Sequence, residues 1–161
     1  MSIKNLGIIG GGQLGSLLAV AAKKLNINTI IYCDDADAPA QNFCNKFIHG
    51  RYDDKVKMQE FIKEIDVITY EFENIPYETL NEMNKIKPVL PKPSVNRLIQ
   101  HRIAEKDFVN KLNIRTTRYA SIESKSDMEP LGDFLPGILK TTTMGYDCLL
   151  YTSPSPRDLS T

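Results

Sequence analysis

Hydrophobic and polar positions switch between two periods along the first third of the chain. Residues 6–9 (L-G-I-I) form a short apolar run that ends in a glycine cluster, as suits a strand buried on both faces. Leu14, Leu17, Leu18, Ala21, Ala22 and Leu25 then recur at helical spacing and predict a helix that lays this stripe on a sheet. Residues 28–33 (N-T-I-I-Y-C) read as a second strand rich in β-branched side chains, and residues 46–49 (K-F-I-H) as a third. Asp53 and Asp54 open a helix that runs to Ile65, their charge suited to its N-terminal dipole. Residues 66–70 (D-V-I-T-Y) give a fourth strand, and residues 77–86 a helix after Pro76. Strands alternating with helices predict an α/β fold around a parallel sheet covered on both faces.

Pro88, Pro91 and Pro93 punctuate the next stretch, which suits a last edge strand and not a helix. A domain boundary is placed there, giving residues 1–93 as one domain and residues 94–147 as the start of another. In the second, Ser94 caps a short helix, and residues 100–112 form a longer one with Ala104, Phe108 and Leu112 at i+4 spacing. A strand near residues 117–120, a polar linker and a strand at residues 137–141 follow, too few elements to close a core. After Asp147 the composition changes abruptly. Residues 148–161 resemble the conceptual translation of a transposase-based sequencing adapter and are expected to be a non-native tail; a genuine Pro/Ser-rich terminus is the alternative. On the first reading the natural chain continues past Asp147.

Composition narrows the function classes. Of 161 residues, 42% are hydrophobic and 25% charged, which suits a packed globular core. Twenty basic and twenty acidic residues cancel, so no cationic face exists for nucleic acid. The longest apolar stretch stops at Lys23, too short to span a membrane, and the glycines near the N-terminus break any signal helix, so a cytoplasmic location is expected. Cys33, Cys44 and Cys148 are odd in number and contain no C-x-x-C pair, which implies neither disulfides nor a zinc site. His49 and His101 have no ligand-spaced partners and are read as ordinary residues.

Three constellations carry candidate chemistry. Gly10, Gly12 and Gly15 form G-x-G-x-x-G between strand and helix, where a tight turn and free helix N–H groups favour a phosphate-bearing ligand. With Asp34 and Asp35 at the end of the second strand, the pattern also fits an NAD(P)-binding oxidoreductase of Rossmann type, the acid binding a ribose hydroxyl. A glycine turn serving topology alone remains open. Second, Y-E-F-E-N-I-P (residues 70–76) places Glu71 and Glu73 on one side of a strand's C-terminal end and Phe72 on the other, in the position where open α/β sheets bind ligands. Carboxylates there accept hydrogen bonds from sugar hydroxyls or an amine; a solvated loop edge is the bland alternative. Third, Lys140 stands in an apolar strand before a glycine turn, suited to nucleotide phosphates or to snorkelling at an edge.

Together, G-I-I-G-G-G-Q-L-G (residues 7–15), D-A-P-A (37–40), Y-D-D (52–54), V-I-T-Y-E-F-E-N-I-P (67–76), Arg102 with Glu105 and Lys106, and I-L-K-T followed by G-Y-D resemble the N-terminal part of the 5-(carboxyamino)imidazole ribonucleotide synthases of the ATP-grasp superfamily. The resemblance covers residues 3–147. It implies a Rossmann-like pre-ATP-grasp domain followed by a truncated ATP-grasp domain, and an enzyme that joins bicarbonate to 5-aminoimidazole ribonucleotide with ATP and magnesium in purine biosynthesis. It further implies that Gly12, Gln13, Leu14 and Glu73 bind the ribonucleotide, that Arg102, Lys140 and Gly145 lie on the ATP side, and that Tyr146 and Asp147 begin the catalytic loop. Magnesium ligands are expected in the missing C-terminal part, and a homodimer for the full-length protein. The family's usual G-Y-D-G-K-G-Q is left at Cys148, and Thr142, Thr143 and Met144 replace a basic, glycine-containing run, so this chain alone is expected to be inactive. A glycinamide ribonucleotide enzyme of the same superfamily fits less well, because Y-E-F-E-N and G-Q-L-G argue against it. A binding module without catalysis requires the tail to be genuine.

Overall fold

The computed structural model describes residues 3–144 and the backbone of residues 151 and 152. The elements run β1 (Asn5–Ile9), α1 (Gln13–Lys24), β2 (Asn28–Cys33), a 3-10 turn (Pro39–Asn42), β3 (Lys46–His49), α2 (Lys55–Lys63), β4 (Val67–Tyr70), α3 (Tyr77–Asn84), α4 (Pro93–Ile99) and α5 (Arg102–Lys111). A 3-10 segment (Lys125–Phe134), β5 (Ile138–Leu139) and β6 (Tyr151–Thr152) follow. The chain divides within α4 into two compact units, Met1–Arg97 and Leu98–Thr161.

The first unit is a four-stranded sheet in the order β3-β2-β1-β4, with every pairing parallel. Gly7 lies opposite Ile30 on one side and Ile68 on the other, so β1 is central. Val89 adds a single parallel bridge to Ile68, which is how the proline-punctuated stretch meets the sheet edge. Strand alternation sends Ile8 and Ile31 to one face, with Ala19, Ala38 and Ala40. It sends Ile9, Ile30, Tyr32 and Ile68 to the other, under Phe61, Ile62, Ile65, Leu80 and Met83. Asp54 caps α2, its carboxylate accepting from the Val56 and Lys57 N–H groups, each at 3.1 Å. Asp53 turns outward to pair with Arg51.

The face that α1 buries differs from the expected one. Gly15, Ser16, Ala19 and Ala22 are buried, whereas Leu14, Leu17 and Leu25 are 56%, 59% and 71% exposed. Close approach decides this. A Cβ on Gly15 would lie 2.7 Å from the Gly10 carbonyl oxygen, so only small side chains fit between α1 and the strand ends, and the leucines rotate outward.

Among the described residues the second unit buries no side chain, in keeping with its few elements. The apolar positions Phe108 and Leu112 on α5 are exposed. Residues 117–120 form no strand. They are tied to α5 by side chains instead, with Lys106 donating to the Thr117 carbonyl, its ammonium 5.0 Å from the Tyr119 ring centroid, and the Tyr119 hydroxyl donating to Asp107. β5 pairs antiparallel with β6, which falls inside the segment expected to be a non-native tail. None of the described helices is long and apolar enough to cross a membrane.

Candidate functional site

The site is built where β1 ends. Gly10 takes a φ of +101°, a conformation that L side chains rarely adopt, and its N–H still reaches the Tyr32 carbonyl at 2.9 Å, so the chain leaves the sheet in a tight turn. Gly12 then precedes α1 with no side-chain cap of its own. The N–H groups of Gln13, Leu14 and Gly15 in the first turn of α1 make no hydrogen bond to the described residues, so they offer three donors to a ligand.

Two other motifs close on this turn from opposite sides. D-A-P-A packs behind it. The Ala40 N–H donates to the Gly11 carbonyl at 3.0 Å, and a Cβ on Gly11 would stand 2.6 Å from the Ala38 methyl and 3.0 Å from the Cys33 Sγ. Burial pushes the Cys33 thiol pKa up, which keeps it protonated and unreactive. On the open side stands Glu71. Its backbone N–H extends the β1–β4 ladder by donating to the Ile9 carbonyl at 3.3 Å. Its Oε1 accepts from the Gly12 N–H at 3.1 Å and lies 2.7 Å from where a Gly10 Cβ would be.

Burial alternates beyond Glu71 as the strand pattern predicts, with Glu71 and Glu73 half-buried and Phe72 exposed. Ile75 is fully buried, and its carbonyl accepts from the Asn96 side chain at 3.0 Å, which fastens the far end of the loop to α4. Thus Gly12, Gln13, Leu14 and Glu73 are all positioned by the turn and by the loop that meets it. The sequence had not marked Glu71 as the group that fills the turn, nor Ala38 and Ala40 as its support. The period-2 alternation and the small residues of D-A-P-A were the signals.

Asp34 and Asp35, the acids of the dinucleotide alternative, are engaged locally. Asp35 accepts from the Asp37 N–H at 2.9 Å, and the Asp34 Oδ1 accepts from the Cys33 thiol at 3.9 Å. With both acids held in these local bonds, the dinucleotide reading is not favoured.

In the second unit, Arg102 begins α5, and its N–H donates to the Thr142 carbonyl at 2.8 Å, tying the start of the helix to the segment just after Lys140. Gly145, Tyr146 and Asp147 lie outside the described residues. His49 contacts the Asp34 carbonyl and His101 caps α5, both ordinary roles. Among the described residues no group of three His, Cys, Asp or Glu side chains is placed to hold a metal ion.

Comparison with known proteins gives this arrangement a context. The chain is 39% identical over 146 residues to a bifunctional purine synthesis protein (purC/E) of Dictyostelium discoideum, covering 88% of this chain and 14% of that protein. It is 38% identical over 144 residues to the N5-carboxyaminoimidazole ribonucleotide synthase of Brucella melitensis, covering 88% of this chain and 40% of that enzyme. The crystal structure of the Staphylococcus aureus N5-carboxyaminoimidazole synthetase with ADP superposes with a TM-score of 0.83 at 29% identity, over 97% of this chain and 43% of that one. The chain therefore spans two fifths or less of the length of these curated relatives. Residues 3–100, which hold the whole parallel sheet and all three motifs around the glycine turn, match the ribonucleotide synthetase preATP-grasp domain, and the chain belongs to that family.

Proposed function

We propose that this chain is the ribonucleotide-binding part of an N5-carboxyaminoimidazole ribonucleotide synthase, an ATP-grasp ligase that carboxylates 5-aminoimidazole ribonucleotide with bicarbonate and releases ADP and phosphate. The observation that carries the reading is the meeting of G-G-G-Q-L-G with Y-E-F-E-N at a single turn, where the Gly12 N–H and the Glu71 carboxylate lie 3.1 Å apart. Such a site offers two kinds of partner at once. The open N–H groups at the start of α1 suit an anion, and Glu73 suits the donor groups of a ribose or an aromatic amine. A phosphorylated ribosyl amine presents both.

In this reading Gly12, Gln13, Leu14 and Glu73 contact the ribonucleotide, Arg102, Lys140 and Gly145 face ATP, and Tyr146 and Asp147 begin the loop over the reacting groups. The cationic Arg102 and Lys140 side chains would offset phosphate charge, the main task in phosphoryl transfer. Bound magnesium supplies further charge neutralisation. Its ligands are assigned to the part of the family fold beyond residue 147. We further propose that the full-length protein works in the cytoplasm as a homodimer.

Thermal-shift titration tests the reading. A ligand at 100 times its Kd stabilises the folded state by about 2.7 kcal/mol. Stabilisation by 5-aminoimidazole ribonucleotide and not by NADH is the expected result; stabilisation by NADH alone would overturn it. Because the chain spans about two fifths of the Brucella relative, binding is expected without turnover of ATP.

A further inference from the structure

We infer that Glu71 is a positioning residue, a latch that sets the Y-E-F-E-N loop, and with it Glu73, against the glycine turn. The inference rests on the ribonucleotide reading above and adds to it a role for a residue that the reading does not count among its ligand contacts. Three observations carry it. Helix α1 has no N-cap side chain of its own and no acidic residue in its first turn, so its N-terminal end lacks the usual local acceptor. Glu71, 59 residues away in sequence, supplies one through the 3.1 Å bond from the Gly12 N–H. Finally, the places that side chains on Gly10 and Gly12 would take lie 2.7 and 3.2 Å from the Glu71 Oε1, so the glycines leave room for this carboxylate.

The loop from 71 to 76 is thereby held at both ends. Glu71 pins its start to α1, and Asn96 pins its end through the Ile75 carbonyl. Glu73 stands two residues from the first of these anchors. Removing the Glu71 acceptor cuts the side-chain tie between the loop and the turn and leaves the Glu71 N–H on the Ile9 carbonyl and the Asn96 anchor in place, so the change is local to the side that faces the turn. A Gln at this position keeps an acceptor oxygen at the same reach and loses only the charge.

The test uses the 161-residue chain labelled with ¹⁵N. In the ligand-free state, E71A should shift the Gly12 amide signal and those of residues 72–75, and speed hydrogen exchange at Gly12 about tenfold or more, whereas E71Q should leave both close to wild type. On titration with 5-aminoimidazole ribonucleotide, E71A should raise Kd about tenfold and E71Q less than threefold. Unchanged loop signals in E71A would overturn the latch. So would an E71Q chain that keeps its loop signals but binds as poorly as E71A, since Glu71 would then be a direct contact. If the wild-type chain ignores the ribonucleotide, the functional reading fails, and the ligand-free arm still decides the latch.

Discussion

Gly11→Ala is the sharpest test of how the turn is built. The added methyl would stand 2.6 Å from the Ala38 Cβ, and moving that contact out to 3.4 Å requires 0.8 Å of displacement (3.4 − 2.6). Ala38 has no rotamer to yield, and it is 1% exposed beside the buried Ala40, whose N–H is bonded to Gly11 itself. The strain must therefore enter the backbone of both motifs, at about 2 kcal/mol for overpacking of this kind. In a unit of this size that lowers Tm by roughly 10 °C. The chain has no tryptophan, so far-ultraviolet circular dichroism is the suitable readout. Ala38→Gly alone should cost about 1 kcal/mol for a lost buried methyl group. Combined with Gly11→Ala it should relieve part of the clash, because contacts with Cys33 at 3.0 and 3.1 Å persist, giving a favourable coupling of about 1 kcal/mol. A Gly11→Ala chain within about 0.5 kcal/mol of wild type, or a strictly additive double variant, would refute the packing of D-A-P-A against the turn.

The reversed face of α1 predicts that Leu17→Gln leaves thermal stability within about 0.5 kcal/mol, while Ala19→Leu, at a site with no exposed surface, costs about 1–3 kcal/mol in the same melt. Asp54→Ala should remove the cap of α2 and lower stability by about 1 kcal/mol in urea titrations. The Asp66 carboxylate accepts from the Lys4 and Asn5 N–H groups at 2.8 and 2.9 Å, and these bonds hold its pKa below the usual range. A depressed folded-state pKa adds stability above the unfolded value of ~3.9, and that stability is lost as pH falls through the folded value. Asp66→Asn should therefore flatten the dependence of the melting temperature on pH on the acid side.

Much of this architecture is legible in the chain itself, for reasons that differ by element. The four strands are short β-branched runs between glycine, proline and acidic punctuation, and each appears within a residue of its expected place. Helix α1 was legible as a helix but not in its orientation, because hydrophobicity marks the leucines while the close approach of Gly15 to Gly10 selects the small residues. Residues 117–120 carry a strand-like pattern, yet no neighbouring edge pairs with them, and side-chain bonds to α5 take the place of a ladder. The glycine turn announced a ligand site. That a carboxylate from the fourth strand would fill part of it depends on β1 and β4 lying side by side, a fact of topology that no local pattern contains.

The bond between Gly12 and Glu71 also has a kinetic meaning. The β1–β4 pairing that brings these two residues together joins segments about sixty positions apart, with two other strands threaded between them in sequence, and contacts of such separation form late because a large loop must close first. Residues 10–15 can curl locally at any time, but the complete site exists only in chains that have docked their fourth strand. A molecule that needs both sides of the turn would therefore count finished first units, and its binding would slow their global unfolding and not merely the fraying of a loop.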